Sequence, residues 1–210
     1  MLEAYWGALL AVISISIVMV VSPGQDFAMI TRNSILYSRR AGLLGAVGIS
    51  LAIWLHVMYS LAGIAMIISQ SEWLFSLIKY AGASYLAYLG VRALMYRRGS
   101  DTSAAIGRSD KRISDFDAFK AGFISNALNP KTTLFFLSIF TQVVTPETPV
   151  LIQLLYGAII SVAHLIWFVL VAMVLSSRAI ISKVDQFKLW IERVMGAVLC
   201  LLAGKLLLSE

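Results

Sequence analysis

Ile49-Ser50-Leu51-Ala52-Ile53-Trp54-Leu55 carries six apolar residues in seven, with no alternation of apolar and polar positions. A strand of a membrane barrel alternates, because one face meets lipid and the other the lumen. A helix need not, since all its backbone groups bond within the segment, as lipid requires. The run lies in an apolar stretch at residues 42–69. Five more such stretches, at 4–21, 73–96, 119–144, 150–176 and 190–208, absorb most of the 210 residues. Each has about 18–28 residues, enough to cross a hydrocarbon core roughly 30 Å thick. The expected fold class is an all-α polytopic membrane protein with six transmembrane helices.

Composition agrees. Hydrophobic residues make up 60% and charged residues 13% of the chain, and the mean hydropathy is +0.85. A soluble domain carries roughly 25% charged residues. The formal net charge of +6 does not point to nucleic acid, because the basic residues sit in short segments between apolar stretches. Cys200, the one cysteine, rules out an internal disulfide and makes a thiolate metal cage unworkable; a small apolar packing role is expected. Met1-Leu2-Glu3 offers no basic leader and no small-residue cleavage site follows, so the first stretch is expected to be a retained span.

Orientation follows from the basic residues. With the N-terminus outside, 14 of the 17 Lys and Arg fall on the inner side, including Arg39, Arg40, Arg97, Arg98, Lys111 and Arg112. The positive-inside rule then puts both termini outside. Residues 99–114, rich in Ser, Asp and Arg, read as a cytoplasmic linker between residues 1–98 and 115–210, each with three spans.

The two halves share landmarks in one order. Pro23 is matched by Pro130, 107 positions on, and His56 by His164, 108 positions on. Gly82 and Gly90 are matched by Gly196 and Gly204, 114 positions on. Three spans per half would set the copies in opposite orientations, giving two inverted three-helix repeats with broken first helices.

The breaks carry the candidate chemistry. Proline removes a backbone donor and clashes with the preceding turn. In lipid, such a break is tolerated where it faces protein or a water-filled cavity. Ser22, Pro23, Gly24, Gln25 and Asp26 surround the first break. An ionisable residue within a span is costly and calls for a reason. Asp26 reads either as the cap of the next half-helix or as a proton carrier and counter-charge for a substrate ammonium group. Asn126, Asn129, Pro130 and Lys131 surround the second break, where two amides and a cation at a half-helix start either suit a carboxylate or are helix caps beside a lysine that snorkels to the interface. An acidic group at one break and a basic group at the other complement a zwitterion such as an α-amino acid.

His56 and His164 lie within spans and are either hydrogen-bonded packing residues or proton-coupling candidates. No carboxylate or thiolate stands at ligand spacing, so no metal and no cofactor are expected. Trp167, one turn from His164, is a candidate for lining the pathway. Gly42, Gly45 and Gly48 give the second span a smooth face, and the Gly82/Gly90 and Gly196/Gly204 pairs do likewise for the third and sixth. Tyr5, Trp6, Trp73, Tyr96 and Trp190 read as interfacial anchors.

Ser22-Pro23-Gly24-Gln25-Asp26-Phe27, Arg39-Arg40-Ala41-Gly42, Ala83-Ser84-Tyr85-Leu86-Ala87-Tyr88-Leu89-Gly90, Phe119-Lys120-Ala121-Gly122-Phe123 and Asn126-Ala127-Leu128-Asn129-Pro130-Lys131 occur in this order. Together they resemble the LysE/RhtB amino-acid exporter superfamily of bacteria, nearest its homoserine/threonine branch. The resemblance implies efflux of amino acids or derivatives across the inner membrane, driven by proton antiport. It carries a binding role onto Pro23, Gly24, Asp26, Asn126, Asn129, Pro130 and Lys131. Gln25 stands where the family commonly has a second proline, which bears on the backbone shape at that break and on the substrate.

The expected function is therefore export of a neutral, threonine- or homoserine-like amino acid, with the substrate, protons and the lipid bilayer as partners. No nucleic acid is expected, and a homodimer is an admissible assembly. The alternatives are an intramembrane enzyme, which would need a second carboxylate or a nucleophile with its base beside Asp26, and a passive channel, which would need no ionisable carrier.

Overall fold

The computed structural model describes residues 5–22, 24–70, 72–95, 113–145 and 148–174, together with scattered positions from 190 to 204. Every regular element among them is a helix. In order these are α1 (Trp6–Val21), α2 (Gln25–Leu36), α3 (Arg39–Gln70), α4 (Glu72–Leu94), α5 (Asp115–Ala127), α6 (Pro130–Val143) and α7 (Val150–Val174). The linker positions 99–112 and Pro23, Arg97 and Tyr96 lie outside the described residues.

Helix starts explain where these bounds depart from the apolar stretches. The 119–144 stretch becomes two helices, and α5 begins earlier, at Asp115. Ser114 caps it by accepting from the Asp117 amide at 3.0 Å, and Asp115 and Asp117 complement the positive end of the first turn. Likewise, Ser38 accepts from the Ala41 amide at 3.1 Å, so α3 takes in Arg39 and Arg40. Polar caps of this kind carry no hydropathy signal.

Two described helices are long and apolar enough to cross a membrane, Arg39–Gly63 of α3 and the whole of α7. Counting α1 and α2 as one span bent by 53° makes a third. Along α7, Val162, Ile166 and Leu170 are exposed while Ile160, Ser161, His164, Phe168 and Val171 are buried. A helix apolar on its exposed face as well is solvated by lipid, not water.

The core lies where α1, α3, α6 and α7 meet, around Val12, Ile53, Phe136, Phe140, Tyr156 and Ile160. Small residues decide the closest crossings. A Cβ on Gly122 would strike the backbone of Gly45, and one on Gly48 would strike the Phe119 carbonyl, so α3 and α5 touch backbone to backbone. Gly90 of α4 meets Gly196 in the same way, with Cys200 Sγ 2.6 Å from where a Gly90 Cβ would stand. The expected stripes are thus packing surfaces at Gly45, Gly48, Gly90 and Gly196. Gly204 differs, since nothing stands within 4 Å of its Cβ position. Between α3 and α7, Ser50 Oγ donates to the Ser161 carbonyl at 3.1 Å and Ser161 Oγ donates to the Ser50 carbonyl at 2.8 Å. Such side-chain hydrogen bonds hold helices together in a solvent that offers no others.

Candidate substrate site between two helix breaks

Each break ends one short helix and starts another. At the first, α1 stops at Val21 and α2 starts at Gln25. Gly24 is the N-cap residue, in extended backbone, and no side chain caps the amides there. The first hydrogen bond of α2 runs from Ala28 N to the Gly24 carbonyl at 3.0 Å. Asp26 is therefore not the cap. Although it sits in the first turn, its carboxylate reaches across the molecule to the other break.

At the second break, α5 ends at Ala127 and Pro130 opens α6 at a position where its missing N–H costs nothing. The Asn129 side chain caps α6 by accepting from Lys131 N at 3.0 Å. Its amide group donates to Asp26 Oδ2 at 3.0 Å. Asn126 donates to the same oxygen at 2.8 Å, and Ser125 Oγ donates to Oδ1 at 2.8 Å. Asp26 is 6% exposed, so these three neutral donors replace the water it gave up. The amides expected to cradle a substrate carboxylate are engaged, in this conformation, with a carboxylate of the protein.

The cation crosses in the opposite direction. Lys131 Nζ donates to the Ser22 carbonyl at 3.1 Å, at the negative end of α1. The two charged groups thus tie each break to its counterpart. Gln25 adds a longer link, from Nε2 to the Ser125 carbonyl at 3.4 Å. Between the breaks is a cavity of about 20 Å³, lined by Gly24, Gln25, Asp26, Asn129, Lys131 and His164, among others. That is room for about one water molecule.

The two histidines differ. His56 Nε2 lies 3.1 Å from the Asn126 carbonyl, which can only accept, so this nitrogen carries the hydrogen. In the neutral ring, Nδ1 then accepts from the Tyr59 hydroxyl, and the ring stacks on Phe136 at 5.3 Å. His56 is spent on holding the end of α5. His164 Nδ1 donates to the Ile160 carbonyl of its own helix at 2.8 Å, which leaves Nε2 as an acceptor, and the residue is among those lining the cavity. Trp167, though next to Phe168, lines an apolar groove of about 620 Å³ between α1 and α7 and is not among the cavity residues. No three His, Cys, Asp or Glu side chains converge as metal ligands among the described residues.

Sequence reasoning passed over Ser125 and Thr132, which hydrogen-bond Asp26 and Asn126 respectively. Their adjacency to Asn126 and Lys131 was the available signal. Serine and threonine are common in spans, however, and stand out only once a partner is known.

Known proteins place this architecture. Across 199 residues the chain is 29% identical to the membrane protein YrhP of Bacillus subtilis strain 168, covering 91% of this chain and 94% of that one. It is 26% identical to the threonine efflux protein of Escherichia coli K12, covering 90% and 92% of the two chains. With the leucine efflux protein of Salmonella choleraesuis it shares 32% identity over 146 residues, 69% of this chain and 65% of that protein. No solved structure matches it. The model of the LysE type translocator family matches residues 17–210. With both breaks inside that match, and with transport rather than enzyme catalysis as the family's activity, the chain belongs to the LysE type translocators.

Proposed function

We propose that this translocator exports a neutral amino acid, threonine- or homoserine-like, across the bacterial inner membrane in exchange for protons. The observation that carries this reading is the reciprocal crossing of Asp26 and Lys131 at one cavity. A zwitterion offers an ammonium group to Asp26 and a carboxylate to Lys131, so it competes for the bonds that hold the breaks together. With space for about one water, the cavity is too small for an amino acid, and substrate must part the breaks in order to bind.

Coupling follows if Asp26 takes either a proton or the substrate ammonium group, never both. Substrate entering from the cytoplasm displaces the proton, and outward release lets an external proton replace it. The named threonine and leucine efflux relatives favour amino acids as the substrate class.

The inverted plan, with residues 1–98 and 115–210 as repeats, both termini outside and six spans, belongs to the same reading. The reciprocal Ser50–Ser161 bonds favour it, as do the matched packing of α3 on α6 and of α2 on α7. The test of function is counterflow in proteoliposomes preloaded with an amino-acid mixture. Accumulation of labelled threonine or homoserine is expected, and its absence for every amino acid would end the proposal. The test of orientation is cysteine labelling. A cysteine at Val150, which is 63% exposed, should react in intact cells, and one at Ser103 only after permeabilisation.

A further inference from the structure

The two half-helices that start at the breaks are not equivalent receivers of an anion. At α6, Pro130 supplies no N–H and the Asn129 side chain already occupies the Lys131 amide. At α2, the amides of Gln25, Asp26 and Phe27 precede the first intrahelical bond and no side chain caps them. Uncapped first-turn amides and the helix dipole favour an anion. Lys131 Nζ stands beside this end, 3.7 Å from the position a Gly24 Cβ would take. A second feature of the same cavity is His164, a lining residue that is 1% exposed, with Nδ1 bonded to the Ile160 carbonyl and Nε2 without a hydrogen-bond partner among the described residues. A buried acceptor of this kind calls for a donor.

We propose that the substrate carboxylate seats on the α2 N-terminus between Gly24 and Lys131, and that an N–H or O–H of the same substrate donates to Nε2 of His164. This rests on the transport reading, which gives the carboxylate to Lys131, and adds the backbone seat at the α2 start and the histidine contact. His56, with both nitrogens engaged by Asn126 and Tyr59, is a positioning residue for the second break.

Gly24→Ser tests the anion seat. Its backbone is extended, which any residue adopts, and the nearest atoms to an added Cβ are 3.7 Å away, so the variant should fold. A serine there caps α2 with its own oxygen, so thermal stability should hold or rise while the half-saturation concentration in counterflow rises about tenfold or more. Gly24→Ala is the control for a serine-specific misfold, with a methyl in place of the cap. His164→Leu should raise half-saturation about tenfold, and His164→Gln, which keeps an acceptor near Nε2, should recover most of it.

Threonine and valine, of one shape, separate the sources of the donor. Equal losses for both in His164→Leu point to the ammonium group, and a loss for threonine alone points to the hydroxyl. Unchanged half-saturation in both Gly24 variants, or in His164→Leu for both substrates, would overturn the seat or the histidine contact. The histidine contact also falls if His164→Leu exchanges normally and loses only uphill accumulation, which is the behaviour of a proton carrier. A wild type that carries no amino acid would remove the transport reading and this pose together, whereas a functioning wild type with indifferent variants would remove the pose alone.

Discussion

The two breaks start from the same element of sequence, a proline after the end of a short apolar helix, and end as different devices. The second is closed by side chains: Asn129 caps α6, and the Asn126 carbonyl is bonded by His56. The first is left open on its helix-start side, where Gly24 has no side chain to offer, and its C-terminal carbonyl at Ser22 is met by a lysine from the other break. A capped break has its first amides satisfied within the protein, whereas the start of α2 leaves backbone donors without a side-chain cap. One proline break is thus capped by side chains and the other is not, and Asp26 and Lys131 tie the two together.

The comparison can be broken most severely at Asp26. Asp26→Asn keeps the shape but presents an amide that cannot ionise to Ser125, Asn126 and Asn129. Proton-driven accumulation should vanish, while exchange of substrate for substrate, which needs no net proton movement, should persist. Uphill pumping with normal pH dependence in this variant would make Asp26 a structural residue. Removing the cap comes next. In Asn129→Ala both Asp26 and the Lys131 amide lose a partner, a cost to this conformation of about 1–3 kcal/mol, so the melting temperature should fall and the half-saturation should shift. Pro130→Ala should fall in the same range, through a longer, less defined start to α6. Initial-rate counterflow with purified variants measures both, and wild-type kinetics would reduce the second break to an ordinary kink.

Lys131→Met sharpens the contrast, because it frees the Ser22 carbonyl and removes the cation while leaving the Asn129 cap intact. Its half-saturation should rise about tenfold or more for amino acids and far less for their carboxyl amides. Gln25→Ala is the smallest step. Gln25 is exposed and its bond to Ser125 is 3.4 Å, so melting temperature and transport should stay within about 0.5 kcal/mol of wild type.

Much of the architecture was legible in the residue order. Apolar length announced helices, Pro23 and Pro130 announced breaks, and glycine spacing announced close-packed faces at Gly45, Gly48 and Gly90, though not the helices that meet them. Asp26 and Lys131 stood out because charge is rare in such stretches. Their partners were hidden, since Asp26 is bonded to residues 99 to 103 positions away and no local periodicity encodes that pairing. For the same reason Asp26 could be read as a cap of its own helix, the nearest partner in sequence. Trp167 could be read as lining the pathway because one turn separates it from His164; it borders the apolar groove between α1 and α7, while His164 borders the cavity between the breaks.

By itself, then, the sequence determined the solvent, the helical class and where the helices break, because each follows from the chemistry of a few neighbouring residues in lipid. Only the tertiary structure decided that the breaks face one another, that Asp26 is held by the opposite asparagines, that Lys131 closes α1, and that of the two histidines it is His164 that lines the cavity. Those choices depend on which polar groups meet when distant helices pack. In a medium without water each buried group must find its partner in the fold, and the fold alone sets which one is within reach.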